Sequence, residues 1–452
     1  MTWTTVGHLL LTADGRRVVI DATTNIESLG ELDRATRRLV RQRRDRAPDF
    51  RSGRQVTGLL ERLGFGTEDD GTERGHFRWW SPGVEIRRTL AEWLRRFQEI
   101  ELRADPIATA TLRDWGTDQP LRDLAGGYSD RLYTVRLDDR AGVLRYGGDP
   151  GYLSMLASLR ERPVLPWRVY EQVTAFRRCR RGELGGLQRT RSFEFFDFHS
   201  LVSAADGMNE YLTVLRRQVE FVRHGHGAAV EVRVAYDDEQ AIHALADWAS
   251  GTGCDILVAR AHLSGKYYRL LHNLFDDRGL HTMHGQLDET NAGQWMGHHG
   301  SGLSIVHAAS GSLERWLLVY LLDGGEMDPR TFPDWLAPTH LSLLPLTPKQ
   351  LHGTIALAQH FADQGLRVRV DDRDLTVRRR IRDSFTVWIP RTIVVGDAEL
   401  AGGPLRLRSG DGFMTDCEPT SLVERFRGTS DMASLWSGAQ RPRIVTRELR
   451  LG

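Results

Sequence analysis

One stretch limits what this chain can fold into more than any other. Between Arg177 and His199 the sequence passes through Arg177, Arg178, Arg180, Arg181, Glu183, Arg189 and Arg191, then Phe193, Phe195, Phe196, Asp197 and His199. Apolar-alternating segments at 170–176 and 191–198 flank a Gly-containing turn at 183–186, which predicts a long antiparallel hairpin. Alternate residues of a strand face the same side, so Phe193, Phe195, Asp197 and His199 share one face, with Arg189 and Arg191 leading into it. Buried without partners, such groups would cost several kcal/mol. The face therefore belongs either to a ligand site or to a solvated edge strand, and the second choice would expose two phenylalanines.

The 452 residues allow two or three domains, and 40% hydrophobic with 27% charged residues permits a sizeable core. A formal net charge of +1 means that any nucleic-acid partner must be argued from local patches. No run approaches the roughly 18 apolar residues that cross a bilayer, and no basic leader precedes the short apolar stretch near the N-terminus. Neither a membrane partner nor a signal peptide is expected. Cys179, Cys254 and Cys417 are dispersed, which excludes a disulfide framework and suits a reducing cytoplasm.

The N-terminal residues read as a small hairpin, 8–11 and 18–20 around Asp14-Gly15. An Arg-rich helix at 32–46 follows, either an RNA-backbone surface or a solvated helix with interleaved acids. Residues 50 to about 335 read as one large α/β unit. In it, a helix from 84 to about 99 places Leu90, Trp93, Leu94 and Phe97 on one face, and a strand at 100–102 leads to Pro106. The segment 332–338 reads as a hinge. Beyond it come a strand at 341–344, a helix at 350–364 stopped by Gly365, a strand at 367–370, a basic helix at about 375–383 and a strand at 392–395. This alternation argues for a compact α/β domain with a largely parallel sheet. From about 412 the pattern is weak.

The run Phe176-Arg177-Arg178-Cys179-Arg180-Arg181-Gly182-Glu183, with Leu187-Gln188-Arg189-Thr190-Arg191-Ser192-Phe193, resembles motif 2 of the class II aminoacyl-tRNA synthetases. The resemblance implies that Arg177 holds the ATP α-phosphate and the reacting carboxylate, that Arg189 supports the phosphates and that Phe193 stacks on adenine. Cys179 stands where that family has an adenine-contacting glutamate. The chemistry is sound on its own terms, because guanidinium forks stabilise the negative charge that develops as pyrophosphate leaves. Downstream, His307-Ala308-Ala309-Ser310-Gly311-Ser312-Leu313-Glu314-Arg315-Trp316 looks like motif 3, with Arg315 on the γ-phosphate. The helix from 84 and the strand near Pro106 stand where motif 1 lies, which implies a homodimer.

Gly311 to Arg315, followed by Phe332-Pro333-Asp334-Trp335-Leu336-Ala337-Pro338, is similar to the threonyl group. That group binds zinc through one cysteine and two histidines. His199 and His307 match the histidines, and Asp149 of Asp149-Pro150-Gly151 replaces the cysteine. An Asp/His/His set with an open fourth position suits Zn²⁺. Asp197 and Gln286 match amino-acid-pocket residues, while His281 and Phe195 replace other pocket residues. Leu344-Pro345-Leu346-Thr347, Gly365-Leu366-Arg367-Val368 and Val394-Val395-Gly396-Asp397 resemble the anticodon-binding domain shared by the threonyl, prolyl, histidyl and glycyl enzymes, with Arg382, Glu399 and Arg408 at its base-reading positions.

The resemblance thus implies an α/β chain: a class II synthetase antiparallel-sheet catalytic domain at 56–335 and a C-terminal α/β anticodon-binding domain at 340–410. A small N-terminal extension (1–55) and a C-terminal tail (411–452) complete it, without an editing domain. The implied activity is ATP- and Mg²⁺-dependent activation of threonine or a close analogue as an aminoacyl-adenylate and its transfer to tRNA. Two alternatives stand beside it: transfer to a non-tRNA acceptor such as a carrier protein or amine, and a non-catalytic tRNA-binding regulator.

Overall fold

The computed structural model describes residues 4–46, 53–125, 129–223, 226–262, 268–322, 332–428 and 443–445. They form two compact units, one from residues 1–52, 74–76 and 94–316 and the other from 53–73, 77–93 and 317–452.

The first unit is built on a ten-stranded sheet. Its order is Arg17–Ile20, Thr4–Leu11, Ile256–His262, Ala229–Ala235, Tyr268–Phe275, His281–Asp288, Leu303–Ser312, Ser192–Ser203, Trp167–Phe176 and Asp105–Pro106. Neighbours run antiparallel except Ala229–Ala235 with Ile256–His262, and Asp105–Pro106 with Trp167–Phe176. The expected hairpin forms, with Ser192 opposite Phe176, Asp197 opposite Glu171 and His199 opposite Val169. The long helix Gly207–Arg223 packs on the return strands, burying Val214, Leu215 and Val219.

The N-terminal hairpin also forms, His8 opposite Ile20, and it extends the large sheet through Leu9 opposite Val258. The Arg-rich helix, Arg34–Arg44, is capped by Asp33 and buries Leu39 and Val40 against Leu10, Ala229, Leu257 and Phe275. Its Arg37 and Arg41 both reach Glu27, Arg43 pairs with Glu231 at 2.6 Å, and Arg44 pairs with Asp45. At least four of its arginines therefore already have acid partners.

The strand expected at 100–102 is instead a π-helical turn, Phe97–Glu101, that prolongs the helix Ser81–Arg96. The Leu102 amide reaches back to the Phe97 carbonyl at 3.1 Å, and Ile100 is 62% exposed. Three alternating residues are too few to overcome a helix already propagating. Chain pairing resumes only at Asp105–Pro106, beside Val169 and Tyr170. A three-stranded sheet of Leu112–Asp114, Arg140–Leu144 and Thr134–Leu137 was not legible in the sequence.

In the second unit a six-stranded sheet runs in the order Met414–Cys417, Leu405–Ser409, Arg391–Val395, Leu341–Pro345, Val368–Val370 and Arg443–Ile444. Its middle strands pair in parallel and the Leu405–Ser409 strand pairs antiparallel with both neighbours. The helices Leu351–Asp363 and Val377–Thr386 stand where the sequence places them, and Gly365 (φ 93°) follows the first. The helix Pro419–Gly428, in the weakly patterned region, contributes Leu422, Val423 and Phe426 to the core. The segment read as a hinge is an anchor instead: Trp335 packs 5.6 Å from Trp93 and 5.4 Å from Tyr320, and Leu336 and Ala337 are buried. Among the described residues no helix is long and apolar enough to cross a membrane.

His272, inside the large sheet, makes the first unit acid-sensitive. Its Nε2 lies 2.6 Å from Gln218 Oε1, and burial pushes its pKa down to about 3. The unfolded chain takes up that proton below about pH 6.5. The contribution of this site is therefore whole above pH 6.5 and declines as pH falls towards 3, by about 2 kcal/mol between pH 6.5 and 5. His272→Asn should flatten the fall of the urea midpoint across that window. An unchanged slope would contradict the assignment.

Candidate active site

Three strands carry the site, and their register sets its rows. Asp197 lies opposite Ala309, which lies opposite His284; His199 lies opposite His307, which lies opposite Gln286. Directly paired residues project to the same side of a sheet. Asp197, His199, His307, Ala309, His284 and Gln286 therefore occupy one face, with Phe193 and Phe195 further along the hairpin strand. A register irregularity between Phe195 and Asp197 lets Phe195 pack with Val173, Ala175 and Ala309.

At one end of this face sits an acid–imidazole cluster. Asp149 opens the helix Asp149–Ser158, whose next residue is Pro150. Asp149 Oδ1 lies 3.2 Å from His199 Nε2 and 2.8 Å from His307 Nδ1. On the other side of the His307 ring, Nε2 is 3.4 Å from Asp288 Oδ2. Tyr152 stacks on His199 at 4.1 Å. Burial alone would lower the His307 pKa, but Asp149 and Asp288 outweigh it and raise it to about 10. Burial opposes ionisation of Asp149 too, yet the two imidazoles hold its carboxyl well below the usual range. Asp197 goes the other way: burial, reinforced by the charge of Asp149, raises it well above an ordinary carboxylate. Its Oδ2 accepts the Gly148 amide at 3.0 Å, and a Cβ on Gly148 would stand 2.5 Å from that oxygen, so only glycine lets the Asp149 helix start so close to the strand.

Asp149, His199 and His307 offer three ligand atoms within 4.8 Å of one another. Bonds of about 2.0–2.1 Å in a tetrahedral zinc site put ligand atoms about 3.3 Å apart, and Asp149 Oδ1 stands 3.2 and 2.8 Å from the two imidazoles. Asp288 behind His307 is the carboxylate that such a ligand needs to fix its ring. His199 Nδ1 is buried with no hydrogen-bond partner among the described residues. The donor set fits a divalent cation.

At the other end sit the guanidinium groups. Arg177 donates from Nε to the Tyr146 carbonyl at 2.9 Å and lies 5.0 Å above the Phe193 ring. Arg315 donates to the Gln188 carbonyl at 3.0 Å and to His281 Nδ1 at 2.7 Å. Burial, then the like charges of Arg177 and Arg189, lower the Arg315 pKa to about 10. The three arginines therefore share one electrostatic field. Gly311 (φ 76°) lies two residues before the helix Leu313–Leu321 that carries Arg315, and a side chain there would collide with the Thr282 carbonyl.

The loop between the hairpin strands is braced from outside. Arg131 clasps Glu183 with two hydrogen bonds of 2.7 and 2.8 Å, and its carbonyl accepts the Arg178 amide. Arg191 is not a ligand-facing group; it is buried and donates to the Cys179 carbonyl at 2.7 and 3.0 Å. Cys179 is buried with its thiol towards the Thr190 carbonyl. Sequence reasoning missed His284, which lies between the two poles. Burial and the charges of Arg315 and Arg177 lower its pKa to about 4, with Asp149 opposing. The only sequence signal was its even spacing from Gln286.

In the second unit, Arg382 is an exposed residue of the helix Val377–Thr386. Glu399 is engaged in its own turn, accepting the Gly396 amide at 2.8 Å. Arg408 lies opposite Thr392 and Met414.

Residues 340–425 match the anticodon-binding domain family. Over 362 residues the chain is 29% identical to the threonine–tRNA ligase of Methanopyrus kandleri, covering 73% of this chain and 57% of that protein. Against the ligase of Methanosphaera stadtmanae it is 26% identical over 439 residues, 90% of this chain and 70% of that one. The chain thus spans a little under three fifths of the Methanopyrus relative. In structure it is similar to the RNA binding domain of threonyl-tRNA synthetase from Cryptosporidium parvum, with a TM-score of 0.72, 19% identity and coverage of 85% and 99%. A putative threonyl-tRNA synthetase from Aeropyrum pernix gives a TM-score of 0.67 at 18% identity, covering 85% and 98%. In sequence and fold the chain is similar to the threonyl-type class II aminoacyl-tRNA synthetases. The antiparallel sheet and the C-terminal α/β unit are the fold that the motifs implied.

This synthetase-like site gathers like charges at its guanidinium end. ATP should raise the melting temperature of the wild-type chain, whereas Arg315→Met should melt within about 1 kcal/mol of wild type and lose the ATP-dependent rise. A rise of equal size in the variant would contradict a phosphate-binding Arg315.

Proposed function

We propose that this chain activates threonine or a close analogue with ATP and transfers the acyl group to tRNA. The observation that carries this reading is the arrangement of two poles on one sheet face, the arginines with Phe193 at one end and Asp149, His199 and His307 at the other. Arg177 would hold the α-phosphate and reacting carboxylate, Arg189 and Arg315 would neutralise the outer phosphates alongside Mg²⁺, and Phe193 would carry the adenine. These groups favour adenylate formation because their fixed positive charge meets charge that grows as pyrophosphate departs.

Asp149, His199 and His307 would hold Zn²⁺. When bound, such an ion supplies a Lewis-acidic anchor for the amine and hydroxyl of the amino acid. Asp197 and Gln286 line the pocket beside it. His281, engaged by Arg315, serves the phosphate end, while Phe195 packs its apolar side. The match of residues 340–425 supports tRNA as acceptor, with Arg382, Glu399 and Arg408 as base readers. The helix Ser81–Arg96 and the strand Asp105–Pro106 stand where this class builds its dimer interface, so a homodimer in the cytoplasm follows from the same reading.

Threonine should drive exchange of pyrophosphate into ATP, and Arg177→Ala should cut the rate by about 100-fold or more. Silence with threonine, serine and their close analogues would contradict the function. Metal analysis of the purified chain should find zinc in the wild type and little in Asp149→Ala. Equal zinc in both would remove Asp149 from the ligand set.

A further inference from the structure

The face between the two poles is a slot, and the strand register gives its dimensions. Ala309 is its floor, with Asp197 on one neighbouring strand and His284 on the other. Strands two places apart lie about 10 Å from each other. Side chains rising from the two flanking strands narrow the space above Ala309. Phe195, packed on Ala309, closes the slot at the guanidinium side.

His284 is not a core histidine. His272, one strand over, is fully buried and bonded to Gln218. His284 is only partly covered as a residue, and its Nδ1 is a buried atom with no hydrogen-bond partner among the described residues. Arg177, Arg315, Asp149 and His307 all lie near enough for their charges to act on it. A ligand with its carboxylate on Arg177 and its side chain towards the Asp149 cluster would cross this position.

We propose that His284 is the second wall of the acyl pocket, opposite Asp197, and selects a small polar amino acid by ring volume and one hydrogen bond at Nδ1. This rests on the adenylate-forming reading above. His284 is a specificity-determining residue, whereas Arg177 and Arg315 handle the phosphates.

The test is amino-acid-dependent pyrophosphate exchange with the full chain and a panel of amino acids, comparing wild type, His284→Ala and His284→Gln. For His284→Ala, KM for the preferred amino acid should rise tenfold or more, KM for ATP should stay within twofold, and the ranking should move towards larger side chains. His284→Gln, which keeps volume and a polar end, should recover most of the affinity. An unchanged amino-acid KM and ranking in an active His284→Ala chain would overturn the wall while leaving the activity standing. An equal rise in both KM values would assign His284 to the phosphates and overturn it too. A wild-type chain inactive with every amino acid would remove the adenylation reading and the wall together. If His284→Ala does not fold, the His284→Gln chain decides: the same preferred amino acid with near-wild-type KM upholds the hydrogen bond, and a KM raised to the level set by a nonpolar His284→Leu chain overturns it.

Discussion

The antiparallel pairing of Ser192–Ser203 with Leu303–Ser312 is the constraint on which the site depends. It sets His199 against His307 and Asp197 against Ala309, and it carries Arg315, just past the end of the second strand, back towards Arg177 at the end of the hairpin. A slip of one residue would turn each of these side chains to the opposite face. The register is held by bonds outside the regular ladder as well. Gln218 reaches the carbonyls of both His284 and Ala309 at 3.3 Å, and the Phe196 amide donates to Ser310 Oγ at 3.0 Å.

Charge is segregated along that face, and the segregation is maintained at the expense of stability. Arg315, partly buried, stands near like charges, and Asp197 is buried near the carboxylate of Asp149. Such groups do not contribute to folding in the free chain; they become favourable when a ligand of opposite charge arrives. The surrounding network absorbs the cost. Arg145 and Glu171 form a buried pair at 2.6 Å, and Glu171 also accepts the Thr109 amide, so the carboxylate paired across from Asp197 has its partners.

How much of this could be read from the sequence depended on distance along the chain. The hairpin was legible because its period-two alternation is local, and so were the α/β elements after 340, where Gly365 marks a helix end. Asp149 was reached only by resemblance, because nothing in its spacing links it to residues 50 and 158 positions away. The 100–102 strand was misread because a short alternation looks the same at the end of a helix, where backbone bonds decide. His284 escaped because its place on the site face shows only through its pairing partner Ala309 and its even spacing from Gln286.

If the two poles serve one reaction, a single ligand must span both. The most direct measurement is a crystal structure of the chain with a nonhydrolysable sulfamoyl analogue of threonyl-adenylate. The expected result is the sulfamoyl group on Arg177, the adenine on Phe193, and the threonyl side chain between Asp197 and His284, pointing at Asp149, His199 and His307. An analogue bound with its acyl group away from that cluster, or with the sulfamoyl group beyond reach of Arg177, would contradict it.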